Sequence, residues 1–142
     1  MSAWQFPQVN TGKIIGEMNW DSASLYCPSK TSLVDYVTHD FVIPINRNEI
    51  NEFAICGTTS SKEVTEDNFV SFDSSENNSK GKNYALSIRK MTVGNVIYSD
   101  SVSGSWNFYL RLLSEQENSF VVQFQYAQKS SNAYAGIKIG WR

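Results

Sequence analysis

Histidine is the usual general base and metal ligand near neutral pH, and this chain has one, His39. It stands in Thr38-His39-Asp40, where the neighbouring carboxylate is placed to raise its pKa. Cys27 and Cys56 are the candidate nucleophiles, and a Cys-His pair needs only to meet in space. No oxyanion-hole loop or flanking signature accompanies either cysteine, and neither lies in a CxxC pair. Packing is the expected role of Cys56, which ends the apolar run Phe53-Ala54-Ile55, and without an export signal both thiols are expected reduced. One histidine cannot build a His-rich zinc site, and HExxH and GxSxG are absent. Lys80-Gly81-Lys82 lacks the companion glycines of a phosphate loop. Glu63, Glu66, Asp67, Asp73 and Glu76 gather in one polar stretch, but their spacing fits no EF-hand and no glycosidase pair. A solvated loop face is expected there. The chain therefore reads as non-enzymatic, with no catalytic residue, no metal and no cofactor.

The stronger signal is for binding. Trp106, Phe108, Leu110 and Leu112 alternate along one run, and Phe120, Val122, Phe124 and Tyr126 along the next. This is the period of half-buried antiparallel strands. On the opposite face Asn107, Tyr109 and Arg111 point outward from the first strand, and Gln123 and Gln125 from the second. If the strands pair, Tyr109, Arg111, Gln123 and Gln125 form a patch of one flat ring with planar amide and guanidinium groups, the mixture used in sugar recognition. The same patch is equally a packing site for a neighbouring subunit or a covering loop.

The elements that must position this patch are strands. Ser114-Glu115-Gln116-Glu117-Asn118 links the two runs, short enough for a hairpin but too long for a two-residue turn. Ile137, Ile139 and Trp141 make a last strand, whose other face, Gly136, Lys138 and Gly140, reads as nearly bare. Tyr84 to Arg89 alternates, Val93 to Tyr98 resumes after Lys90-Met91-Thr92, and the whole is long for one strand, with Gly94 where a bulge or bend would sit. Thr31 to Thr38 reads as a strand or a single helical turn. Phe41 to Ile45 carries Pro44, which belongs at a sheet edge or strand end, and Asn46-Arg47-Asn48 then turns the chain toward a strand from Ile50 to Cys56. Residues 57–83 form a long polar loop region, with Asn68 to Phe72 its one short strand. Residues 1–30 have no sustained period and read as an irregular arm anchored by Trp4, Phe6, Trp20 and Tyr26. The arm covers its own sandwich or reaches a neighbouring subunit. In the second case Trp4, Phe6, Trp20, Tyr26 and Trp141 are the assembly contacts. The sum is a single all-β domain over residues 1–142, an antiparallel β-sandwich or jelly-roll of about eight strands.

Composition narrows the partners. A chain of 142 residues is the usual size of one domain, and at 18% charged residues it falls below the roughly 25% of average soluble domains. Its polar surface is mostly neutral Ser, Asn and Thr, which suits an assembly or a saccharide-binding face. The net charge is −2 and the basic residues are scattered, so nucleic-acid binding is not expected. No apolar run approaches the length of a membrane-spanning helix, and Met1 to Pro7 has no signal-peptide character. Synthesis in the cytoplasm without a signal peptide is expected.

Over Ser119-Phe120-Val121-Val122-Gln123-Phe124 and Ser131-Asn132-Ala133-Tyr134-Ala135-Gly136-Ile137-Lys138-Ile139-Gly140-Trp141 the chain resembles the C-terminal β-domains of bacteriophage tail fibres, which often end in small residues, isoleucine, glycine and an aromatic. The resemblance implies a virion protein, trimeric in that family and used for host-surface attachment. It covers only the last part of the chain, and the N-terminal part shows neither a fibre repeat nor a coiled-coil heptad, so an adaptor or capsid decoration protein fits as well. The expected partners are further copies of the chain, with a trimer favoured, other particle proteins and a surface glycan. The alternative is a soluble lectin-like carbohydrate-binding module.

Overall fold

The computed structural model describes residues 8–10, 21–31, 34–60, 82–102, 106–128 and 133–142. Nine strands are described: β1 (Gln8–Asn10), β2 (Asp21–Thr31), β3 (Val34–Ile43), β4 (Phe53–Ser60), β5 (Lys82–Leu86), β6 (Val96–Val102), β7 (Trp106–Gln116), β8 (Ser119–Gln128) and β9 (Ala133–Trp141). Single 3₁₀ turns at Arg47–Glu49 and Ile88–Lys90 are the helical elements among the described residues. Every strand pairing is antiparallel, in sheets of order β1-β2-β9-β4-β5 and β3-β8-β7-β6. This is the all-β class that the alternating runs predict, with the strand inventory of a β-sandwich. The chain divides into two compact units, one around each sheet.

In the five-stranded unit β9 runs between β2 and β4, so its inward residues have neighbours on both sides. Ile139 lies between Ala23 and Ile55, and Trp141 between Asp21 and Phe53. Ile137, Ile139 and Trp141 are all buried. The opposite face of β9, expected bare, is covered: Gly136 and Gly140 are buried and Lys138 half-buried. Gly140 sits in register between Ser22 and Ala54, which are buried too. Beyond β9, Arg142 is held to the start of β4. The amides of Asn51 and Glu52 both donate to its carbonyl at 2.9 Å, and its guanidinium pairs with the Glu52 carboxylate.

Three expectations change here. The irregular arm ends earlier than residue 30, because Asp21–Thr31 is β2, paired with β9 over most of its length. Tyr26 is therefore a strand residue opposite Gly136, while Trp4, Phe6 and Trp20 lie outside the described residues. Trp141 is 1% exposed within its own chain and is not available as a subunit contact. The polar loop is shorter than 57–83, since Gly57 to Ser60 extends β4 along β9 and Lys82 and Asn83 open β5. Thr58 and Thr59 are good strand formers once a partner is alongside. The short strand expected at Asn68 to Phe72 lies outside the described residues.

The four-stranded unit is a β6-β7-β8 meander with β3 added beside β8. Its buried face carries Phe108, Leu110 and Leu112 of β7, Phe120, Val122, Phe124 and Tyr126 of β8, and Phe41 and Ile43 of β3, as the alternation marks, while the side chain of Trp106, expected on the same face, lies outside the described residues. Rings run across it in sequence, Tyr98 to Phe108 at 5.6 Å, Phe108 to Phe124 at 6.2 Å and Phe124 to Tyr126 at 6.3 Å between centroids. The hairpin turn is tighter than expected. Gln116 pairs with Ser119, leaving only Glu117 and Asn118 in the turn, and a register shift between Leu112 and Ser114 absorbs the extra residue. Of the segment Thr31 to Thr38, Thr31 ends β2, residues 32–33 lie outside the described residues, and the rest is strand, the start of β3, which ends at Ile43 just before Pro44. Ile50 is buried but precedes β4. The run from Tyr84 to Tyr98, long for one strand, is divided, and earlier than at Gly94. It breaks at Ser87 into the Ile88–Lys90 turn, and β5 and β6 belong to different sheets.

Candidate functional site

Alternation along β7 and β8 turns Tyr109, Arg111, Gln123 and Gln125 to the side opposite the buried rings, and the β7-β8 register then sets them in pairs. Tyr109 lies directly opposite Gln125, and Arg111 opposite Gln123. The neighbouring strands extend each pair into a row. One row reads Asp40, Gln123, Arg111, Val96 across β3, β8, β7 and β6; the next reads Thr38, Gln125, Tyr109, Ser99. Val96, Tyr109, Arg111, Gln123 and Gln125 line one depression of about 230 Å³. All four residues singled out in the sequence are thus brought together.

Each polar group in this depression is oriented differently. Arg111 Nη1 donates to the Gly94 carbonyl at 2.7 Å, which fixes the guanidinium plane. Gln123 Nε2 donates to Asp40 Oδ1 at 3.0 Å, which turns the amide oxygen of Gln123 free to accept. Gln125 makes no side-chain hydrogen bond among the described residues. Tyr109 is 39% exposed and Val96 44% exposed, so a ring face and a branched aliphatic group remain in contact with water beside the donors. At about 230 Å³ the space falls below the roughly 300–1,000 Å³ of clefts that enclose drug-sized ligands. It is a surface depression rather than an enclosing cleft.

Three contributors escaped the sequence reading. Gly94 was visible as a bend, but it forms the third position of a turn closed by the Asn95 amide donating to the Thr92 carbonyl at 3.2 Å. Its φ of +97° is the conformation a type II turn demands there, which glycine adopts without strain. That turn docks on β7, the Gly94 amide donating to the Leu112 carbonyl and the Leu112 amide to that of Asn95, and so presents the Gly94 carbonyl to Arg111. Asp40 enters through the β3-β8 register, and Val96 through the pairing of β6 with Arg111.

The residues considered for catalysis take other roles. The His39 ring packs edge-on against Phe41 at 5.1 Å. Its pKa is lowered, not raised: burial disfavours the imidazolium and outweighs the Asp40 charge that opposes it. Cys56 is buried as a thiol, and the Cys27 side chain lies outside the described residues. Among the described residues no three His, Cys, Asp or Glu side chains cluster as a metal site, and no helix is long and apolar enough to cross a membrane. No protein-family model matches the chain, and no curated protein or solved structure matches it either.

Proposed function

We propose that this protein is a non-enzymatic adhesive module that binds a saccharide on the outer face of its β3-β8-β7-β6 sheet. The observation that carries the reading is the convergence of Tyr109, Arg111, Gln123 and Gln125 on one water-exposed depression. An aromatic face stacks on the C–H side of a sugar ring, while planar amides and a guanidinium meet its hydroxyls in the ring plane. Because the turn at Gly94 and the Asp40 carboxylate already hold two of these groups, little ordering is required on binding. The wider setting, a component of a multi-subunit particle such as a phage virion, with a trimer favoured, rests on the resemblance of the last part of the chain to tail-fibre C-terminal domains.

The test is a glycan array read with the full chain and with Tyr109→Ala. Binding that the substitution abolishes supports the reading, whereas an array on which the two proteins are indistinguishable removes it. Light scattering at micromolar concentration addresses the setting. A stable trimer favours the particle, and a 16.0 kDa monomer favours a stand-alone lectin-like module.

A further inference from the structure

We infer that the saccharide taken by this face is acidic, a sugar bearing a carboxylate that Arg111 holds. This rests on the saccharide reading above and adds the chemical class of the ligand. The described arginines show why Arg111 stands apart. Of the four, Arg47 is ion-paired with Glu115 and Arg142 with Glu52, whereas Arg89 and Arg111 have no carboxylate partner among the described residues, and of these two it is Arg111 that lines the depression. Its one hydrogen bond there, from Nη1 to the Gly94 carbonyl, stabilises the orientation of the guanidinium but not its charge. Nη2 and Nε are left as a parallel pair of donors, the fork that matches a carboxylate bidentately.

The surroundings keep that charge available. Arg111 is flanked in its own row by Gln123 and Val96 and along β7 by Tyr109, all neutral. Asp40 is the acid nearest in the register, but it lies two strands away, about 10 Å by strand spacing. That is the distance over which salt largely screens exposed charges, and its carboxylate already accepts from Gln123. A neutral sugar would leave a half-buried, oriented cation without a counter-charge. A carboxylated one supplies it while the Gln123 oxygen and the Gln125 amide meet hydroxyls of the same ring.

The experiment compares the full chain on matched ligands that differ in the carboxylate alone, sialyllactose against its carboxyl-reduced form and galacturonate oligomers against their carboxyl-reduced galactose counterparts, within an array of other acidic and neutral glycans. The expected result is binding confined to, or at least tenfold stronger for, carboxylated glycans, weakening as ionic strength rises. Arg111→Gln is expected to lose that preference while Arg111→Lys keeps part of it. Binding of neutral glycans as tight as of their acidic partners, or a preference unchanged in Arg111→Gln, overturns the inference and leaves the saccharide reading standing. Binding to no glycan at all overturns both. A circular-dichroism melt of Arg111→Gln matching the parent excludes unfolding as the cause of any loss.

Discussion

Arg47 and Glu115 form an unequal ion pair: Arg47 Nε lies 2.7 Å from Glu115 Oε2, yet the arginine side chain is 10% exposed and the glutamate 41%. The difference arises because the same guanidinium also donates from Nη1 to the carbonyls of Ile88 and Met91, both at 2.7 Å. One side chain thus satisfies the turn at Ile88–Lys90 from the turn at Arg47–Glu49, while Glu115 accepts from its Nε and balances its charge from the wet side.

Arg47→Met is accordingly expected to destabilise the protein by about 1–3 kcal/mol, since the Met91 carbonyl loses its donor and the Ile88 carbonyl keeps only the longer bond from the Met91 amide, at 3.3 Å. Glu115→Gln should shift the unfolding midpoint far less, because a solvent-exposed carboxylate is replaced by a neutral amide whose oxygen can still accept from Arg47. Guanidinium unfolding of both variants measures the ratio. Equal effects would show that the charge pair, not the carbonyl bonds, holds these turns.

Acid is expected to weaken the fold in two stages. His39 has a lowered pKa when folded, because of burial and despite Asp40, so between that value and the ordinary one near 6.5 only the unfolded chain takes the proton. Stability therefore falls as pH drops below about 6.5. Glu115 is lowered by the hydrogen bond from Arg47, opposed by desolvation and helped by the Arg47 charge. Its contribution is complete above the ordinary carboxylate value of 4.5 and is lost as pH falls through the folded one. Urea midpoints across this range in the parent and in His39→Gln check the assignment, the upper stage vanishing in the variant.

Gly94→Ala should be costly although no atom lies within 4 Å of the added methyl. The penalty comes from φ = +97°, a backbone conformation that costs an L residue roughly 1–2 kcal/mol. If the turn relaxes, the Gly94 carbonyl moves from Arg111, so glycan affinity is expected to fall along with the melting temperature. A stable variant with unchanged affinity would show that the turn does not position Arg111.

Trp141→Ala removes a fully buried ring flanked by β2 and β4 and is expected to cost about 3–5 kcal/mol. Thermal unfolding measures it. A change near zero would place the indole outside the core.

What the sequence disclosed follows from where one face is wet and the other dry. β7 and β8 satisfy that condition along most of their length, so both the buried set and the outward four were readable from alternation alone. β2 did not, because Ser22-Ala23-Ser24-Leu25 has no β-branched residue and Ser22 is buried beside Gly140. β9 concealed its second face for a related reason, as glycines carry no hydropathy signal whether covered or open. Arg47 left no trace at all, since its partners are mainly backbone carbonyls, which every residue has.

The central place of β9 has a consequence for biosynthesis. It follows every other described strand, so β2 and β4 leave the ribosome with the edges that face each other across β9 still unfilled. The β6-β7-β8 meander needs only local contacts and can close without waiting for β9 to dock. Until Ala133–Trp141 enters between β2 and β4, the five-stranded sheet keeps an open slot, a template for stray strand pairing between newly made chains.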